Sequence, residues 1–347
     1  NDMELKELIC SLSAMSGPSG FESPVAERVR ELLTACTDEQ RVDAMGNLIA
    51  VKRCGKPGAH TIMIDAHMDE IGFIVTGYDK GFLRFGCLGG IDPRMLPARE
   101  VMVLTQPEPM FGVIDTLPPH VLESGDSDKT IDAKKLCIDV GLTQEEAEAR
   151  IPLGTPVVFA SGCRELAGGA VCGKSLDDRA CLAVVINVMQ RLAGCELGVD
   201  VVCLAAVQEE LGMRGAVTAA FSVAPDYAVT LDVTHALTPD AKKTETVAFG
   251  GGAAIALGPN MNRTMTDDII AAAKNAAIPY QIEVVPGQSG TNAWATQIAR
   301  SGVATALISI PLKYMHTPVE TIDIADAQSA ADILVEYITQ LEADTNA

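Results

Sequence analysis

Short, Val-rich apolar runs alternate with helical patterns through the second half of the chain, and this alternation most limits the folds available to it. The runs "VDVVCLAAV" (199–207), "YAVTLDV" (227–233) and "VATALISI" (303–310) lack polar alternation, which is typical of strands buried on both faces. Helical segments such as "DDIIAAAKNAAI" (267–278) lie between them. Strands that alternate with helices predict an α/β fold, with a mostly parallel-stranded sheet and helices on both faces.

The residue pattern between about residues 71 and 165 differs from that of the rest of the chain. β-rich runs such as "EVMVLT" and "TPVVFA" are separated there by Gly and Pro, as in a small barrel or sandwich. We therefore predict an α/β domain formed by residues 1–70 and 166–347. A small β-rich domain at 71–165 interrupts it.

Composition excludes several classes of protein. The formal net charge is −20, which argues against a nucleic-acid partner because phosphate binding requires clustered Lys and Arg. No apolar run approaches the roughly 18 residues of a membrane span, and the polar start "NDMELKEL" lacks the core of a secretion signal. The 10 cysteines include no CxxC pair. We therefore expect free thiols in a reduced, cytoplasmic protein.

Acids or histidines occur at five places where a buried strand or its neighbouring turn would end. These are His67 and Asp69 in "MIDAHMDE", Asp177 and Asp178 in "GKSLDDRA", Glu209 and Glu210 in "VQEE", Asp232 and His235 in "VTLDVTH", and His316 in "YMHTPVE". In open α/β sheets, ligands bind at the carboxyl edge of the strands, so we expect these side chains to lie close together. Imidazole and carboxylate donors suit Zn²⁺, Co²⁺ or Mn²⁺.

This set of residues predicts chemistry that no single motif would support. Two ions would share a bridging carboxylate and a bridging water, and an unligated carboxylate would act as general base and acid. Glu209 and Glu210 could divide these tasks, because neighbours on a strand point apart. Alone, Asp177 or Asp178 could cap a helix, His67 could be a core histidine, and the two glutamates could be a solvated strand end.

The motifs together resemble the cocatalytic-metal aminopeptidases of the glutamyl aminopeptidase, deblocking aminopeptidase and endoglucanase-like group, several of which form tetrahedral TET particles. The resemblance rests on "IDAHMDEIGF", "GKSLDDRA", "AVQEELGMRGA", "LDVTHA" and "ISIPLKYMHTPVE", and it extends to "SGPSGFE" near the start and "IPYQIEVVPGQSGTNA" near the end. It implies a zinc-peptidase-like α/β domain, with a barrel- or PDZ-like dimerisation domain at 71–165.

The resemblance also implies roles for individual residues. The implied metal ligands for two divalent ions per subunit are His67, Asp177, Glu210, Asp232 and His316, with Asp177 bridging. Glu209 would be the general base and acid that activates a metal-bridging water, and Asp69 would orient His67. The implied reaction is removal of the N-terminal residue from short peptides in the cytoplasm. The implied assembly is a homo-oligomer, either a dimer or a tetrahedral dodecamer.

Two departures from the family pattern concern the substrate pocket. The family usually has Gly-Thr-Asp-Ala where this chain has Gly290-Thr291-Asn292-Ala293, and often Arg where this chain has Lys313. We therefore assign Thr291, Asn292 and Lys313 to substrate binding. The sequence alone places none of Lys313, Arg94 and Arg263 in a pocket for an acidic first residue.

Two other functions are weighed against this one. A glycosidase needs two carboxylates about 5–10 Å apart and no metal. Such enzymes commonly line their clefts with aromatic residues, and aromatic residues make up only 4% of this chain. A catalytically silent scaffold that binds metal or assembles is favoured only by Asn292.

Overall fold

The computed structural model describes residues 4–116, 132–239 and 241–342. Within these ranges the chain forms eight α-helices and seventeen β-strands. The helices are α1 (Leu5–Ala14), α2 (Ser23–Leu33), α3 (Gln144–Arg150), α4 (Leu176–Leu192), α5 (Arg214–Val223), α6 (Arg263–Asn275), α7 (Asn292–Thr296) and α8 (Ile324–Gln340). The strands are β1 (Glu39–Val42), β2 (Leu48–Lys52), β3 (Thr61–His67), β4 (Gly72–Asp79), β5 (Phe82–Leu88), β6 (Glu100–Val103), β7 (Met110–Ile114), β8 (Ile138–Asp139), β9 (Pro156–Phe159), β10 (Arg164–Glu165), β11 (Ala170–Gly173), β12 (Asp200–Ala206), β13 (Tyr227–His235), β14 (Ala253–Leu257), β15 (Tyr280–Val284), β16 (Ala304–Lys313) and β17 (Glu320–Asp323).

The larger sheet has a parallel centre and antiparallel flanks. Its strand order is β1-β2-β12-β3-β13-β16-β17-β11-β10, with β14 bonded to β16 and β15 bonded to β14. The central strands β12, β3, β13 and β16 run parallel, whereas β2, β14 and β17 pair with them antiparallel. The predicted α/β class is therefore confirmed, but the sheet is mixed, and the parallel description holds for its centre.

Helices cover both faces of this sheet, as the strand alternation requires. On β3, Ile62 and Ile64 face the core formed with α1, α2, α4 and α8. Met63 points to the opposite face, where it packs with Ala219 and Ala220 of α5. A strand buried on both sides explains the continuous apolar run that predicted it. None of the helices in the described part of the chain combines the length and apolar composition needed to span a bilayer.

The inserted segment forms a closed six-stranded barrel. Its strand order is β4-β5-β8-β7-β6-β9. Phe73 meets Phe85 and Phe159 edge-to-face in the barrel core, with ring centroids 5.1 and 5.2 Å apart, a favourable aromatic geometry. All the barrel strands lie within the predicted 71–165 insert. The last two residues of that insert, Arg164–Glu165, form β10, which pairs with β11 of the larger sheet.

Two cysteines are bonded to each other, which differs from the expectation of free thiols throughout. Cys10 of α1 and Cys163, which precedes β10, form a disulfide across 153 residues of sequence. The other eight cysteines form no disulfide. The wide sequence separation explains why spacing alone could not identify the pair, because the contact depends on how α1 packs beside β10 and β11.

The guanidinium of Arg179 joins separate backbone segments in the core. Arg179 lies in α4 and is fully buried. Its Nε donates to the carbonyl of Met68 at 2.6 Å, its Nη1 to that of Leu12 at 2.8 Å and its Nη2 to that of Gly17 at 3.3 Å. Glu70 lies 3.8 Å from the same group and supplies a counter-charge. A buried charge is tolerated when it is paired and hydrogen-bonded in this way.

Replacing Arg179 with Met should destabilise the protein strongly. The change leaves buried carbonyls without their donor and removes one of the two cations beside the Glu70 carboxylate, at a cost of about 3–5 kcal/mol in the free energy of unfolding. Arg191→Met on the same helix is the matched control. It removes a partly exposed pair with Asp332 and should cost less than about 1 kcal/mol. Urea unfolding at one protein concentration measures both, and equal losses would contradict this account of Arg179.

Candidate metal centre

Most of the predicted site residues reach the centre from the carboxyl edge of the parallel strands. His67 is the last residue of β3, and Asp232 lies in the second half of β13. His316 follows β16 by three residues, and Glu209 and Glu210 lie in the turn that follows β12. Parallel neighbours deliver their ends to one edge, so residues distant in sequence meet there.

Asp177 joins these five side chains from the start of α4, and the six form a continuous cluster. Side-chain donor atoms within 4.8 Å of one another form three overlapping groups. These groups are His67 with Asp177 and Asp232, Asp177 with Glu210 and His316, and His67 with Glu209 and Glu210. All the side chains predicted as metal ligands from the sequence therefore lie together.

Asp177 lies between the two histidines. Its Oδ1 is 3.1 Å from Nε2 of His67, and its Oδ2 is 3.3 Å from Nε2 of His316. The same His316 nitrogen is 3.2 Å from Oε1 of Glu210. The peptide bond between Asp177 and Asp178 is cis. A single carboxylate thus contacts both imidazoles, one through each oxygen.

Hydrogen bonds at the opposite side of each imidazole hold its orientation. Nδ1 of His67 lies 3.0 Å from the Asp69 carbonyl and 3.3 Å from the Asp69 carboxylate. Nδ1 of His316 lies 2.6 Å from the carbonyl of Gly90. A proton on Nδ1 satisfies both contacts and leaves Nε2 free to bind a metal, the usual arrangement at histidine ligands.

The turn that carries Gly90 comes from the barrel segment and approaches the cluster closely. Gly89 has a φ of +82°, and a Cβ at this position would lie 2.8 Å from Ile71 and 3.0 Å from the Glu210 carboxylate. A Cβ on Gly90 would lie 3.3 Å from the His316 ring. Both the backbone angle and the lack of space therefore require glycine at position 89.

Asp69 explains why two adjacent glutamates occur after β12. Its Oδ1 accepts the backbone N–H of Glu209 at 2.9 Å, and its Oδ2 accepts that of Glu210 at 3.1 Å. The hydroxyl of Ser19 donates to Oδ2 at 2.6 Å. The expectation that strand alternation separates the glutamates does not apply, because both lie beyond the strand in a turn. The orientation of that turn depends on Asp69.

Two acids that support the ligands were not assigned a supporting role from the sequence. Glu320 accepts the backbone N–H of Asp177 at 3.0 Å and that of His316 at 2.8 Å. Asp178 accepts the backbone N–H of His67 at 3.2 Å. Both occur inside the motifs that supplied ligands, which was the available signal. Their function depends on how β17 and α4 cross the sheet edge, which the motifs do not encode.

The carboxyl groups of the cluster are buried close to one another. Burial raises the pKa of Asp232 well above its usual value, and repulsion from Asp178 adds to the effect. Burial also raises the pKa of Glu209 to about 7, and it raises the pKa of Glu210. Each of these carboxyls resists ionisation because solvent is excluded and negative groups lie near it.

For the two histidines, hydrogen bonds to carboxylates outweigh the effect of burial on the pKa. Burial disfavours the charged form of His67, but hydrogen bonds to Asp177 and Asp69 outweigh it and raise the pKa. Likewise, hydrogen bonds to Asp177 and Glu210 outweigh burial and raise the pKa of His316 to about 11. The cluster thus attracts positive charge. Carboxylate oxygens and imidazole nitrogens are donors that divalent transition metals accept, so these residues fit a metal ion.

A cleft of about 440 Å³ opens over the cluster. The cluster lines one part of it, and residues 283–286 and 289–291, here called the wall, line another part. Thr291, predicted to bind substrate, is part of this wall. The cleft is therefore wide enough to admit a substrate to the metal-binding side chains.

The other two residues predicted to bind substrate lie elsewhere. Asn292 is buried behind the wall, against the fully buried carboxyl of Asp65. Burial raises the pKa of Asp65 to about 7, opposed by a hydrogen bond from the Thr230 hydroxyl at 2.7 Å and by Asn292. The ammonium of Lys313 lies 3.7 Å from the centre of the Phe249 ring. A direct role of Asn292 or Lys313 in substrate binding stays a prediction.

The chain is similar to characterised peptidases along nearly its whole length. A sequence model described as M42 glutamyl aminopeptidase matches residues 46–333. A lysyl aminopeptidase of Pyrococcus furiosus is 35% identical over 341 residues, covering 97% of each chain. The resemblance inferred from the motifs is therefore confirmed by similarity that extends well beyond them.

Solved structures show the same fold. An aminopeptidase of the archaeon Desulfurococcus kamchatkensis superposes with a TM-score of 0.91 at 35% identity, covering 97% of this chain and 95% of that one. A Pyrococcus horikoshii TET1 peptidase, which can assemble into a tetrahedron or a large octahedral shell, superposes with a TM-score of 0.86 at 30% identity, covering 97% and 100%. This chain belongs to the M42 glutamyl aminopeptidase family.

Proposed function

We propose that this aminopeptidase uses two divalent metal ions to hydrolyse the first peptide bond of short peptides. The observation that carries the proposal is the membership of Asp177 in two donor groups, one completed by His67 and Asp232 and the other by Glu210 and His316. Zn²⁺, Co²⁺ and Mn²⁺ all accept these donors. When bound, the ions would polarise the peptide carbonyl and acidify a water molecule.

Glu209 is the proposed general base and acid. It lines the cleft, and the two donor groups that share Asp177 are complete without it. Its carboxylate would take a proton from the attacking water and deliver it to the departing amine. Asp69 supports this role by holding the Glu209 backbone, so that the side chain stays beside the ligands.

We also propose that the protein acts as a homo-oligomer, either a dimer or a tetrahedral dodecamer. The support is the similarity to the TET1 peptidase along 97% of this chain. A closed shell with inward-facing sites would admit short peptides and exclude folded proteins. A cytoplasmic location stays a prediction from the sequence.

Replacing Glu209 with Gln should abolish turnover while metal remains bound. The amide keeps the shape of the side chain but cannot accept a proton, so kcat should fall by about 10²–10⁴-fold. Glu210→Gln is the matched comparison, because it removes a proposed ligand and should reduce the metal content per chain. Hydrolysis of leucine para-nitroanilide and elemental analysis provide the two measurements. Full activity of the Glu209 variant would exclude the assigned role.

Chelation should remove activity reversibly. Purified protein should contain about two divalent ions per chain. Activity should disappear after dialysis against a chelator and return with Zn²⁺, Co²⁺ or Mn²⁺. Metal binding without hydrolysis of any aminoacyl anilide would instead favour the catalytically silent scaffold. Hydrolysis of a glucan that survives chelation would favour the glycosidase.

Asn292→Asp, which restores the usual family residue, should destabilise this chain. The new carboxyl would lie beside the buried carboxyl of Asp65, and two such groups repel when ionised. We expect a loss of about 1–3 kcal/mol in the free energy of unfolding. The exchange Asp65→Asn with Asn292→Asp keeps one carboxyl and should recover most of the loss in urea unfolding. An unchanged single variant would show that the two side chains do not interact.

A further inference from the structure

Beyond the cluster, the described lining of the cleft has a single acidic side chain, Glu283, which lies among apolar and polar neighbours. The apolar members of the lining are Val233, Val284, Val285, Pro286 and Met315, and the other polar members are Thr234, His235, Ser289 and Thr291. Among the described residues that line the cleft, none is lysine or arginine. A slot with apolar sides and one carboxylate matches a side chain that has an aliphatic stem and a cationic end.

Glu283 is held in this wall by a hydrogen bond from β13, a strand that is not adjacent to β15 in the sheet. It lies in β15, which pairs with β14 at the edge of the larger sheet. The hydroxyl of Thr234, in β13, donates to its Oε1 at 2.5 Å. Burial raises the pKa of Glu283, and Thr234 and His235 oppose that shift. An ammonium or guanidinium bound beside the carboxyl would further favour its ionised form.

The distance from the metal ligands to Glu283 suits a long first side chain. Asp232 and Thr234 are two residues apart on β13, so their side chains point to the same face, about 6–7 Å apart along the strand. Glu283 contacts Thr234 and therefore lies at the far end of that interval. The four-carbon stem of a lysine spans a comparable length.

The three cations that could bind an acidic first residue of the substrate contact other groups instead. Arg94 pairs with Asp92, and Arg263 pairs with Asp267. Lys313 lies against the Phe249 ring and does not line the cleft. A glutamyl side chain in this cleft would meet the Glu283 carboxylate, and the described lining residues include no lysine or arginine to compensate it.

We infer that the first-residue pocket of this enzyme selects lysine or arginine, with Glu283 as the counter-charge that recognises the cationic end. The inference rests on the proposed aminopeptidase function and assigns its substrate class. Val285 and Met315 pack against the stem of the substrate side chain. The net charge of −20 favours the approach of cationic peptides in addition.

The test compares lysine and norleucine para-nitroanilides, because norleucine has the same stem without the ammonium. The metal-loaded protein should cleave the lysine and arginine substrates with a kcat/KM about 10- to 100-fold above norleucine, the effect of one charge-assisted hydrogen bond. The glutamate substrate should be the poorest. Norleucine cleaved as well as lysine by the wild-type protein would overturn the inference.

Two variants at position 283 and one control isolate the charge. Glu283→Gln should reduce kcat/KM for lysine about 10- to 100-fold and change norleucine less than about twofold. Glu283→Lys should lower kcat/KM for lysine para-nitroanilide further and raise kcat/KM for the glutamate substrate. Glu7→Gln removes the same charge from an exposed site on α1 and should change neither substrate. Equal losses for lysine and norleucine in Glu283→Gln would overturn the assignment.

A binding measurement separates this inference from the proposed activity. Calorimetric titration of the metal-loaded protein should show tighter binding of lysinamide than of norleucinamide, and Glu283→Gln should remove the difference. If no anilide is cleaved, the proposed function fails while this preference still supports the pocket. Equal binding of the two amides by the wild-type protein would overturn the pocket assignment, whatever the activity.

Discussion

The metal centre depends on one buried guanidinium, because its ligands come from elements that this group holds together. Arg179 follows Asp177 in the first turn of α4 and donates to the carbonyl of Met68, next to the end of β3. Glu70 lies near the guanidinium and also accepts from Lys174 at 2.7 Å. These charges are buried but mutually satisfied, so the start of α4 and the end of β3 keep a fixed relation.

The meeting of the proposed ligands at one edge could be predicted from the sequence because of a property of parallel strands. Each apolar run was recognisable as a strand, and parallel strands bring their carboxyl ends to one edge. His67, Asp232 and His316 therefore had to meet, whatever the details of the loops between them. The same reasoning did not predict the antiparallel flanks, where short strands such as β10 and β17 carry little apolar signal.

The supporting contacts could not be predicted because they depend on tertiary approach and not on local pattern. Glu320 holds the backbone of two ligands from β17, and Asp69 holds the turn that carries both glutamates. Asn292 is the reverse case, since its sequence position suggested the pocket and its side chain lies behind it against Asp65. Family motifs identify which residues matter, whereas the direction of each side chain follows from packing.

The hydrogen bond from His316 to Gly90 makes the inserted barrel a part of the catalytic unit. The acceptor belongs to the segment that joins β5 to β6, whereas the imidazole belongs to the larger sheet. A barrel displaced far enough to break this bond would release the ring to rotate. The position of the barrel against the larger sheet and the binding of metal are therefore thermodynamically linked. Such linkage acts equally in both directions. Metal loading should steady the barrel, and contacts between subunits that fix the barrel should tighten metal binding.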